Sequence, residues 1–178
     1  MKKILIFWIL VFSGSALAYD IKLRAREHYE ILTIKDDVNT AKYAGLSNTV
    51  NLWFERPYDM SFGLSFSPVF SGLKSKDSSS VFGSEVQTYN IGFELKKFHK
   101  PLFRHAYIRP GLSYSILRPD SNLENLDGVS LYLGLGYEFA FNKFGLALEV
   151  AYRGTWLENS TRIQAITPSL GFHFYKNL

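Results

Sequence analysis

From Met60 to Ser67 the chain reads Met-Ser-Phe-Gly-Leu-Ser-Phe-Ser, apolar at every second position and small or polar between. The same period of two runs through Tyr89–Lys96 and through Leu131–Phe141. In the latter, Leu131, Leu133, Leu135, Tyr137, Phe139 and Phe141 share one face, and Tyr132, Gly134, Gly136, Glu138 and Ala140 share the other. A period of two belongs to the β-strand, and helical spacing explains none of these segments. Eight such segments run along the chain, at 21–34, 46–55, 60–71, 86–97, 105–117, 129–141, 144–157 and 163–175. Each is long enough for a tilted membrane strand of about nine to eleven residues. An even number of strands allows a closed antiparallel ring. The predicted fold class is all-β, an eight-stranded antiparallel up-and-down transmembrane β-barrel.

The two faces decide the solvent. One carries Val50, Leu52, Phe62, Leu64, Ile91, Phe93, Leu112, Leu148 and Leu170; the other carries Gly and Ser with a few long charged residues. An eight-stranded barrel has an interior only just wide enough for side chains, so Phe and Leu from every strand would overfill it. Turned outward in water, that face would expose an apolar band beyond what soluble monomers tolerate. In lipid the band is required. The expected arrangement is apolar outward and polar inward.

The connections supply a second signal. Arg56 to Asp59, Phe98 to Arg104 and Asn142-Lys143 are short, whereas 35–45, 72–85 and 118–128 are longer and polar. Long connections on one side are expected of an outer-membrane barrel whose long loops lie on the cell surface. Aromatic residues suggest two interfacial girdles: Phe54, Phe98, Phe139, Phe141, Phe144 and Phe172 near one end, Tyr43, Phe70, Phe82, Tyr114 and Trp156 near the other.

The first residues predict export. Lys2 and Lys3 precede the apolar run Ile4–Phe12, and Ala16-Leu17-Ala18 offers small residues for cleavage. That run is too short to cross about 30 Å of hydrocarbon as a helix. Residues 1–18 therefore read as a cleaved signal peptide, and 19–178 as the barrel. Removing Lys2 and Lys3 from the 20 basic residues leaves two more than the 16 acidic ones. With no Lys/Arg cluster, nothing points to nucleic acid. Cysteine is absent, which excludes disulfides and thiolate metal sites.

On these features the mature chain resembles the small outer-membrane barrels of the OmpA and OmpX type. The resemblance includes the aromatic-rich final segment Pro168-Ser169-Leu170-Gly171-Phe172-His173-Phe174. It implies insertion by the barrel-insertion machinery and a place in the Gram-negative outer membrane, among its lipid and lipopolysaccharide. Family members usually end on an aromatic residue; here Tyr175 is followed by Lys176-Asn177-Leu178.

The inward face carries both charge signs: Arg24, Arg26, His28 and Glu30, then Glu55, Glu94, Lys96, Arg109, Glu138, Glu149, Arg153 and His173. Charges in a narrow bore must be paired or they cost several kcal/mol each. They read as an electrostatic plug that sets register, with a proton or ion path as the sharper alternative. Glu27 breaks the alternation and would face lipid.

No hydrolase constellation stands out in sequence. Ser169 and His173 share a face but lie about 13 Å apart along a strand. The His-x-Ser-Asn pattern of lipid A deacylase barrels is absent. Four scattered histidines have no metal-ligand spacing. Asn159-Ser160-Thr161 matches a glycosylation sequon by chance.

The resulting expectation is a monomeric, non-enzymatic, cofactor-free surface or structural barrel. Any surface ligand would be met through 35–45, 72–85 and 118–128. The competing readings are a small-solute channel, a lipid A modifying enzyme and a soluble lipocalin-like carrier.

Overall fold

The computed structural model describes residues 20–55, 60–67, 72–75, 81–98, 105–120, 123–141 and 144–174. The expected signal peptide and the terminal residues after Phe174 lie outside them. Nine strand segments form the wall: β1 (Asp20–Lys35), β2 (Thr40–Glu55), β3 (Met60–Ser67), β4 (Leu73–Ser75), β5 (Glu85–Phe98), β6 (Ala106–Pro119), β7 (Leu126–Ala140), β8 (Phe144–Leu157) and β9 (Arg162–Phe174). Every pairing is antiparallel, and β1 pairs with both β2 and β9, so the ring is closed.

β3 and β4 are two pieces of one stave, since both lie between β2 and β5. Residue numbers of paired positions add to 116 along β2–β3 (Val50 with Phe66) and to 118 along β2–β4 (Tyr43 with Ser75). The register against β2 therefore shifts by two between β3 and β4, and the part of the strand expected over 60–71 that follows Ser67 lies outside the described residues. Two seams also skip a pair of rows beside an exposed proline. Leu95 and Lys96 lack β6 partners where Pro110 sits, and Tyr29 and Glu30 lack β9 partners where Pro168 sits. A proline nitrogen has no hydrogen to give the ladder.

The alternation puts Leu64, Ile91, Leu112, Leu133, Leu135, Leu148 and Val150 on the exposed outer wall. Arg26, Glu94, Arg109, Glu149 and Arg153 are buried inside. Inward glycines make room for the larger interior groups. A Cβ at Gly63 would stand 2.8 Å from the Trp53 ring, and one at Gly134 would stand 2.8 Å from the Glu149 carboxylate. Glu27 is exposed on the outer wall opposite Asn48 and Leu170, a polar break in the apolar band.

At the end bearing the 36–39 and 158–161 turns the polarity reverses. Leu32, Ile34, Tyr43, Leu73, Phe82, Val86, Leu117, Leu157 and Ile163 form an apolar cluster inside. Lys35, Lys42, Lys74, Arg118, Arg162 and Gln164 stand outside. This overturns three sequence expectations. The interior is not polar throughout. Tyr43 and Phe82 belong to the inner cluster, not to an aromatic girdle. Most of 35–45 and nearly half of 118–128 are strand, leaving only 36–39 and 120–125 between strands. The common cause is that the strands continue beyond the apolar band, and their outward Lys and Thr read as loop. In the third expected connection, 72–85, β4 pairs with both neighbours and Phe82 is tucked inside.

The turns at this end are tightly specified. The Asp36 carboxylate accepts hydrogen bonds from the Val38 amide at 2.8 Å and from the Asn39 amide. The Thr161 amide donates to the Glu158 carbonyl at 3.1 Å while Asn159 and Ser160 both take positive φ, the pattern of a type I′ hairpin turn. The apparent sequon is thus turn chemistry.

Two outcomes follow. Leu117→Ala should lower unfolding free energy by about 3 kcal/mol, as for other fully buried leucines. Urea titration in lipid vesicles measures it, and a loss near zero would contradict a packed inner cluster. The amides of Asn39 and then Val38 hold the Asp36 carboxyl below its ordinary value. A depressed folded value stabilises the turn above the ordinary Asp range and is lost as pH falls through it. Hydrogen-exchange protection at Val38 and Asn39 should therefore drop below about pH 4, and constant protection would count against this bond.

Candidate functional site

The lumen is filled in layers. At the end opposite the apolar cluster, Lys96 pairs with Glu138. The Lys96 ammonium lies 4.5 Å from the Phe98 ring centre and 4.3 Å from that of Tyr107. In the middle, Arg109 bonds Glu94, Glu149 and the Tyr132 hydroxyl, with its Nε 2.8 Å from Glu149 Oε2. Arg26 reaches the same Glu149 at 3.2 Å, and the Asn51 amide donates to Glu94 at 3.2 Å. Above these, Arg153 pairs with Glu30, and the His28 ring meets Ser47 Oγ at 2.9 Å. A hydroxyl layer follows, Asn90–Ser115–Ser130–Thr155, with spacings of 2.5, 2.5 and 2.6 Å. The apolar cluster closes the stack, and the Tyr43 hydroxyl donates to the Gly83 carbonyl at 2.9 Å.

Among the described residues the buried charges are four cations, Arg26, Lys96, Arg109 and Arg153, and four carboxylates, Glu30, Glu94, Glu138 and Glu149. Each member touches at least one opposite charge. Pairs in a low-dielectric bore are held because a lone charge there costs several kcal/mol. Five strands supply the eight groups, so the network ties staves that are not neighbours in the ring. Arg26 on β1 reaching Glu149 on β8 is one such tie. Of the ten candidate residues, the structure brings these eight together. The side chains of Arg24 and His173 lie outside the described residues, although their backbones pair with each other across β1 and β9. Sequence reasoning missed the hydrogen-bonding partners Asn51 and Tyr132 and the whole apolar cluster.

Among the described residues, the cross-strand His28–Ser47 contact is the arrangement that could suggest nucleophilic chemistry. His28 lines a lumen cavity of about 40 Å³, a water-sized space. The space cannot admit an acyl or glycosyl substrate, and Glu30, the nearest inward acid on the strand, is engaged by Arg153. Among the described residues no group of acids and histidines could hold a metal ion. No helix among them is long and apolar enough to cross a membrane, which leaves crossing by strands open.

The barrel can be compared with solved structures. Neisserial surface protein A, NspA, superposes with a TM-score of 0.63 at 14% identity, over 85% of this chain and 96% of that one. Ail, the attachment invasion locus protein of Yersinia pestis, solved with the heparin analogue sucrose octasulfate, gives 0.54 at 14% identity over 87% and 98%. The fold is that of the small outer-membrane barrels. No protein-family model matches the sequence. No curated protein matches it significantly. At such low identity the likeness is one of fold. Within that outer-membrane barrel fold, the stacked ion pairs and the apolar cluster are features of this chain's own side chains.

The network makes a direct prediction. Arg109→Met leaves Glu94 and Glu149 short of a partner and should cost about 3–5 kcal/mol of unfolding free energy. Adding Glu94→Gln, which leaves Glu149 to Arg26, should restore part of that loss. A single-variant cost below about 1 kcal/mol, the scale of an exposed pair, would mean the lumen is solvated.

Proposed function

We propose that this chain spans the outer membrane as a closed barrel that acts through its outer surfaces and not through its bore. The observation that carries the reading is the continuous exposed apolar wall around a paired, charge-balanced lumen. Large residues such as Leu135, at 60% exposure, and Leu64, at 57%, recur on the wall stave after stave. Such a band exceeds the patches tolerated by water-soluble monomers. It suits a hydrocarbon layer, in which a closed barrel leaves no backbone edge unpaired.

Tyr89, Tyr114, Tyr152 and Trp156 stand outside near the end where the wall turns polar, as an interfacial girdle would. The strand extensions beyond them carry Lys35, Lys42, Lys74, Arg118 and Arg162 outward, which suits the aqueous side of the outer leaflet. The lumen argues against conduction, because both the ion pairs and the apolar cluster lie across it. A surface role is in keeping with Ail, an attachment protein by name, solved with a sulfated ligand. The polar turns at this end and the barrel-insertion machinery are the points of contact this reading implies. Export through a cleaved 1–18 segment is part of it.

Two measurements test the proposal together. In the outer-membrane fraction the unheated protein should migrate differently from the boiled one. In planar bilayers it should give no sustained conductance steps. Recovery in the periplasmic soluble fraction would refute the membrane placement, and clear steps would refute the closed bore.

A further inference from the structure

We propose that the outer wall carries a specific site for a phosphorylated lipid of the outer leaflet, a groove over Gly154 capped by the cations Lys35 and Arg162. This rests on the membrane placement argued above. Gly154 occupies an outward position of β8 but is itself buried, because the rings of Tyr152 and Trp156 lean over it from either side. Its register partners are Leu131 on β7 and Gln164 on β9, and Tyr152 and Trp156 flank it along β8. The missing side chain leaves a groove of about 320 Å³ whose lining includes Leu131, Leu133, Tyr152, Trp156, Arg162 and Gln164. One end of that groove is hydrocarbon and aromatic ring; the other is guanidinium and amide.

Arg162 sits opposite Trp156 on one side and opposite Lys35 on the other. Both cations are exposed on the outer wall. Among the described residues neither meets a carboxylate within salt-bridge distance. Arg162 lines the groove at the height where the apolar band ends, and Lys35 stands beside it on the neighbouring strand, so two cations without a salt bridge adjoin an apolar groove. The ligand that satisfies both ends is an acyl chain lying along Gly154 beneath a phosphate monoester held by Arg162 and Lys35. Arginine suits that task through its forked donors and lysine as a point charge. A zwitterionic lipid would fill the groove but not the cationic mouth.

Gly154 permits a clean test. A Cβ there would lie 3.5 Å from the Trp156 ring and 3.7 Å from the Tyr152 ring, ordinary contact distances. A Cβ is thus tolerated by the backbone, and the larger side chain of Gly154→Leu should occupy the groove by pushing the Tyr152 and Trp156 rings aside, leaving the ladder in place. Trp156 is the reporter on the groove, whereas Trp53 is fully buried in the lumen. The chain from Tyr19 onward, which lacks Trp8, is inserted into dioleoylphosphatidylcholine vesicles carrying a minor share of either brominated dioleoylphosphatidic acid or brominated dioleoylphosphatidylcholine.

Quenching should be stronger with the brominated phosphatidic acid, and Trp156→Phe should remove the difference. Lys35→Gln with Arg162→Gln should weaken the phosphatidic acid preference by roughly 25-fold, about fivefold for each charge at a membrane surface. Gly154→Leu should abolish it while keeping heat-modifiable migration. Equal quenching by the two lipids, or a preference that survives both sets of substitutions, would overturn the groove and leave the membrane reading standing. Absence of quenching by either lipid would overturn the membrane reading, and the groove with it.

Discussion

Eight staves closed in a ring enclose a bore that side chains alone can fill, and this narrowness governs everything else in the molecule. Whatever points inward must pack against all the other staves at that level. Large apolar residues on every strand cannot share that space, so over most of the height they are driven outward. Long charged residues can share it when they interdigitate with glycine and serine and neutralise one another. Arg109 reaching Glu94, Glu149 and Tyr132 shows how one guanidinium serves three staves at a single level.

The bore also explains the change of polarity along the axis. Where the outer wall is apolar, burying apolar groups inside gains nothing extra, and the interior can be ionic. Where the strands run on with Lys35, Lys42, Arg118 and Arg162 outside, the wall faces water, and a hydrophobic interior becomes the stabilising choice. Leu32 and Ile34 continue the inward face of Arg26, His28 and Glu30 on the same strand. One strand thus obeys the rule of a membrane barrel over part of its length and that of a soluble barrel over the rest. The apolar cluster fills the inside of the ring at that level.

The alternation of Leu131–Phe141 and Met60–Ser67 was legible because a period of two needs only local sequence. So was the division of Glu94, Lys96, Arg109 and Glu149 from the lipid-facing leucines. The outer thirds of the first two strands were not legible. Lys42 and Tyr43 reverse the expected polarity, and a polar residue facing water looks the same in a strand as in a loop. Which acid meets which base was also hidden, since the Arg26–Glu149 and His28–Ser47 contacts depend on register and ring closure. Register here depends on the tight 36–39 turn and shifts by two between β3 and β4, neither of which alternation reveals. The outward Glu27 was visible in sequence as a break in the pattern, and it stands on the wall.

The central claim is that the leucine face meets hydrocarbon while the strand extensions meet water. Because the chain has no cysteine, single cysteines can carry a spin label at chosen heights on the wall. In bilayers, labels at Leu64, Leu133 and Leu148 should relax with oxygen, which partitions into lipid, and be shielded from a water-soluble nickel chelate. Labels at Lys42 and Arg118 should do the reverse. Nickel access at Leu64, Leu133 and Leu148 equal to that at Lys42 would contradict the account.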